Sequence, residues 1–125
     1  LYGTMIGGLG ARLGDDENEL SADAARRMFA GCLAEVQDIT NAQVGDKTMM
    51  DALIPAIEAI EASTSDDIKE IMTAGAEAAI RGAEETVNMK ANFGRARNYG
   101  ERSIGYADSG ATSWSCMFAS FAEAL

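Results

Sequence analysis

Apolar residues in this chain recur at steps of three and four in one segment after another, and that spacing confines the fold to packed helices. Ala25, Met28, Phe29, Cys32, Leu33, Val36 and Ile39 form one stripe. Met49, Leu53, Ile57 and Ile60 form the next, and Met50, Ile54 and Ala56 widen it until little of that helix can face water. Ile68, Met72, Ala76, Ala79, Ala83 and Val87 mark a long helix reaching about residue 91, and Trp114, Met117, Phe118, Phe121 and Leu125 mark a last one. A short glycine-broken apolar segment at 2–13 predicts a fifth. Aromatic residues are only 6% of the chain and β-branched runs are scarce, which argues against sheet. The expected fold is all-α, an antiparallel bundle or barrel of about five helices.

Local signals refine this. Ser21 is placed to cap the helix that follows it, after a solvated acidic loop containing Asp15, Asp16, Glu17 and Glu19. Pro55 lies inside the second stripe, removes a helical hydrogen bond and predicts a bend. Ser63 and Ser65 are expected to end that helix and cap the next. Gly75, Ala76, Ala78, Ala79, Gly82 and Ala83 leave almost no side chain over two turns, so a neighbouring helix should approach closely there.

At 125 residues the chain is one domain at most. A net charge of -10 argues against nucleic-acid or anionic-membrane binding, since either requires a basic surface. No apolar run is long enough for a membrane span. The absence of histidine removes Ser-His-Asp triads, histidine bases and most zinc sites. Cys32 and Cys116 both fall in apolar helical patterns and read as buried, unpaired thiols of a cytoplasmic protein. The opening L-Y-G-T-M-I-G-G-L resembles the interior of a domain, so the N-terminal helices of the domain are expected to lie elsewhere.

Two connections carry the functional signal. Residues 94–110 hold four of the chain's 13 glycines, and Lys90, Arg95, Arg97 and Arg102 gather four of its 10 basic residues nearby. Glycines allow close backbone approach and arginines present forked donors, a combination suited to phosphate. The other connection is T-N-A-Q-V-G at 40–45, running into D-K-T-M-M. Backbone amides of 45–49, Lys47 and the Thr48 hydroxyl would there surround a helix N-terminus, a natural anion site. The plainer alternative is that Asp46 simply caps the helix. If helices over 46–62, 65–91 and 109–125 alternate in direction, both connections fall at one end of the bundle and form a shared site.

G-D-K-T-M-M-D-A-L-I-P-A-I-E-A, followed by G-R-A-R-N-Y-G-E-R-S-I-G and A-D-S-G-A-T-S, resembles the L subunit of dihydroxyacetone kinase and the matching domain of single-chain ATP-dependent kinases of that family. The resemblance implies one helical nucleotide-binding domain over 1–125, roughly the last three fifths of the family's domain. It implies bound ADP or ATP with magnesium, and phosphoryl transfer to dihydroxyacetone. The implied partners are a dihydroxyacetone-binding K subunit and, in the phosphotransferase-system type, a phosphocarrier subunit. By motif position Met49 resembles an adenine-side contact and Arg95 a nucleotide-contacting arginine. Asp108, Ser109 and Gly110 match the family's Asp-Pro-Gly turn near the nucleotide, and Thr40 and Thr48 join the expected nucleotide-binding set.

Departures from the family accompany these matches. Thr40 stands where the family has glycine. Ser109 replaces its proline and Tyr106 its histidine, which is expected to loosen the turn. The family's aspartate-rich magnesium motif and its glycine-serine phosphate loop have no counterpart here, so metal ligands are expected outside this chain and none is assigned within it. No residue is expected to act as nucleophile or base. Arg97 and Arg102 either support the phosphate or pair with Glu101 and nearby carboxylates. A second expectation, of another class, is a non-catalytic helical interaction module whose apolar wall favours homo-oligomerisation or docking.

Overall fold

The computed structural model describes residues 21–92 and 98–125 in full and the backbone of 95–97. The helix expected over 2–13, the acidic loop after it and the side chains of Arg95 and Arg97 lie outside the described residues. Within them every regular element is helical: α1 (Ala22–Gln37), α2 (Met50–Ala62), α3 (Ile68–Glu85) and α4 (Ser109–Ala124), with 3-10 segments at Thr86–Asn88 and Arg95–Ser103.

Helix α1 starts where Ser21 accepts a hydrogen bond from the Ala24 amide at 3.1 Å. It buries Ala25, Phe29, Cys32 and Val36, with Met28 and Leu33 half-buried against them. The helix ends at Gln37, so the three-to-four spacing no longer governs Ile39, which is 55% exposed. The opposite end of α2 is held by Arg26, whose guanidinium donates to the Ser63 carbonyl at 2.7 and 3.0 Å and to that of Ser65 at 2.6 Å. The cap of α3 is Asp67, not a serine, with its carboxylate accepting from the Lys69 amide at 2.9 Å.

Helix α2 is the core of the molecule. Met50, Leu53, Ile57 and Ile60 are fully buried, each contributing about 2 kcal/mol of transfer free energy before the entropy of ordering it is subtracted. The helix runs continuously through Pro55. Because proline lacks an N–H, the Asp51 carbonyl four residues earlier has no amide there to accept from. Helix α3 presents Gly82 to that carbonyl: a Cβ on Gly82 would stand 1.9 Å from the Asp51 oxygen. At the other end a Cβ on Gly75 would lie 2.8 Å from Ile60 Cγ1. These two approaches run in opposite order along the helices, so α2 and α3 are antiparallel, joined through the small-residue face that the sequence predicts.

Helix α3 also packs along α4, and α1 and α4 complete the enclosure of α2. Asp108 caps α4 by accepting from the Ala111 amide at 2.9 Å. Trp114 and Phe118 are buried, with ring centroids 6.2 Å apart, and Phe118 meets Phe29 of α1 at 5.6 Å. Two expectations for α4 fail at its far end, where Phe121 is 41% and Leu125 49% exposed. Cys116 is likewise exposed, whereas Cys32 is buried and its thiol is pushed up to about 11 by desolvation.

Candidate functional site

The two loops do converge at one end of the bundle, and they are joined by polar side chains that are themselves buried. Lys47, Asp51, Thr86 and Ser103 are all under one tenth exposed and all lie at this end; Ser115 is the other buried polar residue among those described. Buried polar groups need partners, and here the partners are backbone atoms.

The first loop folds around Asp51. Its carboxylate accepts from the Gly45 amide at 2.7 Å and the Thr48 amide at 2.8 Å, while Thr48 Oγ1 accepts from the Met50 amide at 3.1 Å. The Thr48 hydroxyl and the Asp51 carboxylate, three residues apart, together hold the turn that leads through Met49 into the helix. The helix therefore begins at Met50, not at Asp46. Of the amides at 45–49 expected to meet an anion, those of Gly45 and Thr48 donate to this internal carboxylate. Asp46 serves elsewhere: its side chain accepts from the Gln43 amide at 2.8 Å and from Asn92 Nδ2 at 3.0 Å, and its carbonyl from the Asn92 amide at 3.2 Å.

The second loop is attached through the end of α3. That helix stops at Glu85, short of the expected residue 91, because the Thr86 hydroxyl donates to the Ala83 carbonyl at 2.5 Å and the chain tightens into a 3-10 turn. Thr86 Oγ1 also accepts from the Asp108 amide at 2.8 Å, and the Gly105 amide donates to the Val87 carbonyl at 2.6 Å. The Lys47 ammonium donates to the carbonyls of both Thr86 and Tyr106. Ser103 Oγ accepts from the Ala91 amide at 3.0 Å and donates to the Gly100 carbonyl at 2.6 Å. The turn at 106–109 is thus held at its backbone, through the Tyr106 carbonyl and the Asp108 amide.

Between these elements lies an open cleft of about 330 Å³. Its floor includes Lys47 and Ser103, and its walls are Tyr99, Arg102 and residues 106–109. The rings of Tyr99 and Tyr106 are 62% and 74% exposed, and Arg102 is exposed with no ion pair among the described residues, so the Glu101 pairing is absent. A cleft of this size with two aromatic faces, one forked cation and the serine at a helix start suits a planar base joined to an anion.

The expected site residues are distributed unevenly around it. Asp108 and Ser109 line the cleft. Met49 and Gly110 are not among its lining residues, but they meet each other behind residue 109, since a Cβ on Gly110 would lie 3.2 Å from Met49 Cβ. The Thr48 hydroxyl is engaged in the turn that leads into α2. Thr40 does not line the cleft; its hydroxyl accepts from the Ala42 amide at 3.2 Å. The backbone of Arg95 opens the 3-10 segment whose later residues form the cleft wall. Sequence reasoning missed Asp51, Thr86, Ser103 and Tyr99. Only Asp51 had a signal in the letters, the T-x-x-D spacing from Thr48.

The family model described as the DAK2 domain matches residues 1–123. The chain is 37% identical over 119 residues to the ADP-binding subunit DhaL of a PEP-dependent dihydroxyacetone kinase of Listeria innocua, covering 94% of this chain and 55% of that protein. The corresponding Escherichia coli subunit is 39% identical over 96 residues, 75% of this chain and 46% of that one. A D-erythrulose kinase of Mycolicibacterium smegmatis is 36% identical over 115 residues, 90% of this chain but 20% of the kinase. The chain therefore spans about half the length of these DhaL subunits and about a fifth of the erythrulose kinase. No helix among the described residues is long and apolar enough to cross a membrane.

Proposed function

Because the chain belongs to the DAK2 domain family, we propose that residues 1–125 form a helical nucleotide-binding domain, or part of one, of a kinase acting on dihydroxyacetone or a similarly short ketose. The ligand is ADP or ATP, held in the cleft where the 40–49 and 95–110 loops meet. The observation that carries this reading is the cleft itself, with exposed tyrosines, an arginine that has no ion pair among the described residues and the start of α4 on its walls.

The residues present fit such a ligand. Tyr99 and Tyr106 offer flat faces to the base, with Met49 and Gly110 behind residue 109. Arg102 offers its donor fork to phosphate, as does Arg95 by motif position. Asp108 caps α4 and keeps Ser109 at the cleft edge. Magnesium bound with the nucleotide neutralises phosphate charge, and its ligands come from outside these 125 residues. The described part of this chain binds and orients the nucleotide. A K subunit carrying the ketose, a phosphocarrier subunit in the PEP-dependent form and a cytoplasmic location complete the proposal.

An ADP titration followed by Trp114 fluorescence, with magnesium and then with EDTA, tests it. Saturable, magnesium-strengthened binding is expected. No binding under either condition removes the nucleotide reading for this chain and favours a non-catalytic interaction module.

A further inference from the structure

Lys47 is a buried cation whose ammonium, among the described residues, bonds to backbone carbonyls alone, and the nucleotide reading gives it no task. Its backbone is also unusual. It is 4% exposed and has a φ of 59°, a left-handed conformation that a residue with a Cβ keeps only where its surroundings impose it. They do so here: Gly45 turns the chain at φ 104°, and Asp51 draws in the amides on either side of Lys47. The side chain is thereby delivered between the end of α3 and the second loop, where it donates to the Thr86 and Tyr106 carbonyls. Thr86, fully buried, adds the hydroxyl that accepts from the Asp108 amide at 2.8 Å. Both contacts end on the cleft wall at 106–109.

The structure assigns Lys47 and Thr86 a positioning role: together they clamp the 106–109 wall against the end of α3, so that the cleft is shaped before its ligand enters. A wall fixed in advance leaves less ordering to be done on binding. The inference rests on the nucleotide reading only for the identity of the ligand; the clamp is a property of the chain alone.

Thr86→Val keeps the shape of the side chain and deletes the hydroxyl, whereas Thr86→Ser keeps the hydroxyl. Lys47→Met keeps the stem and deletes the ammonium. In the full chain, amide hydrogen exchange at Asp108 without ligand and ADP affinity by calorimetry are measured for each variant, with circular dichroism to verify folding. Thr86→Val and Lys47→Met are expected to speed exchange at Asp108 and weaken ADP binding, each about tenfold. Thr86→Ser is expected to restore both. Unchanged exchange in the folded Thr86→Val variant overturns the clamp, as does faster exchange with unaltered ADP affinity. A Thr86→Ser variant as impaired as Thr86→Val also overturns it, by showing that packing and not the hydroxyl matters. Should Thr86→Val fail to fold, Lys47→Met decides by the same two readouts. If the unaltered chain does not bind ADP, the nucleotide reading falls and the exchange comparison alone decides the clamp.

Discussion

Gly82 in the last turn of α3 and Thr86 just beyond its end are four residues apart, and the contacts they make are built from opposite materials. At Gly82 nothing but backbone meets backbone, with the Asp51 carbonyl where a Cβ would be. At Thr86 a buried hydroxyl gathers the Ala83 carbonyl and the Asp108 amide, and a buried lysine takes the Thr86 carbonyl. The first contact depends on an absent side chain, the second on particular polar atoms. Close packing therefore secures α2 against α3, while the loops beside that contact are secured by a few hydrogen bonds that can be removed one at a time.

Substitutions at each place sharpen or break that contrast. The largest effect is expected for Gly82→Ala, which must push α2 and α3 apart and should cost about 3 kcal/mol in urea unfolding; a loss under 1 kcal/mol would show that the helices part easily. Asp51→Ala strips two amides of their acceptor at the loop end and is expected to cost about 2 kcal/mol, again read from the urea midpoint. Arg95→Ala should leave the circular dichroism spectrum unchanged and weaken ADP binding about tenfold, and equal affinity would remove Arg95 from the site. Gly75→Ala crowds the side chain of Ile60, which can rotate, and meets the Ala56 carbonyl only at ordinary contact distance, so it should cost about 1 kcal/mol.

The smallest effect at neutral pH concerns the core thiol. Cys32 titrates near 11 in the folded chain against 9.0 for an ordinary thiol. Its folded pKa is raised, so unfolding releases its proton more readily between those values, and stability should fall as pH climbs from 9 to 11. Below that window it contributes no pH dependence. Cys32→Ala should flatten the fall, compared by urea midpoints across the same range. Thiol reagents at pH 8 should label exposed Cys116 well before Cys32.

What the sequence made legible follows the same division. The helical stripes, the Ser21 cap, the close α2–α3 approach and the meeting of the two loops all follow from spacing and topology. Periodicity carried α3 too far because Val87 stays in phase, and apolar spacing is blind to a threonine hydroxyl that tightens the last turn. A lysine is ordinarily exposed, so nothing in the letters marked Lys47 as buried; its place depends on a left-handed backbone imposed by Asp51. The T-x-x-D pattern was readable, yet Asp46 lay nearer the apparent helix start and competed for the same role. Tyr106 looked disruptive as a side chain, but it is the Tyr106 carbonyl that the fold uses.

The contact between Gly82 and the carbonyl opposite Pro55 has a mechanical consequence. Helices slide past one another by exchanging side-chain rotamers, and this contact has no side chain to exchange. Helices α2 and α3 must accordingly move as one body. Any widening or narrowing of the cleft falls to the segment between residues 98 and 108, whose travel is limited by the Lys47 bond to the Tyr106 carbonyl and the Thr86 bond to the Asp108 amide.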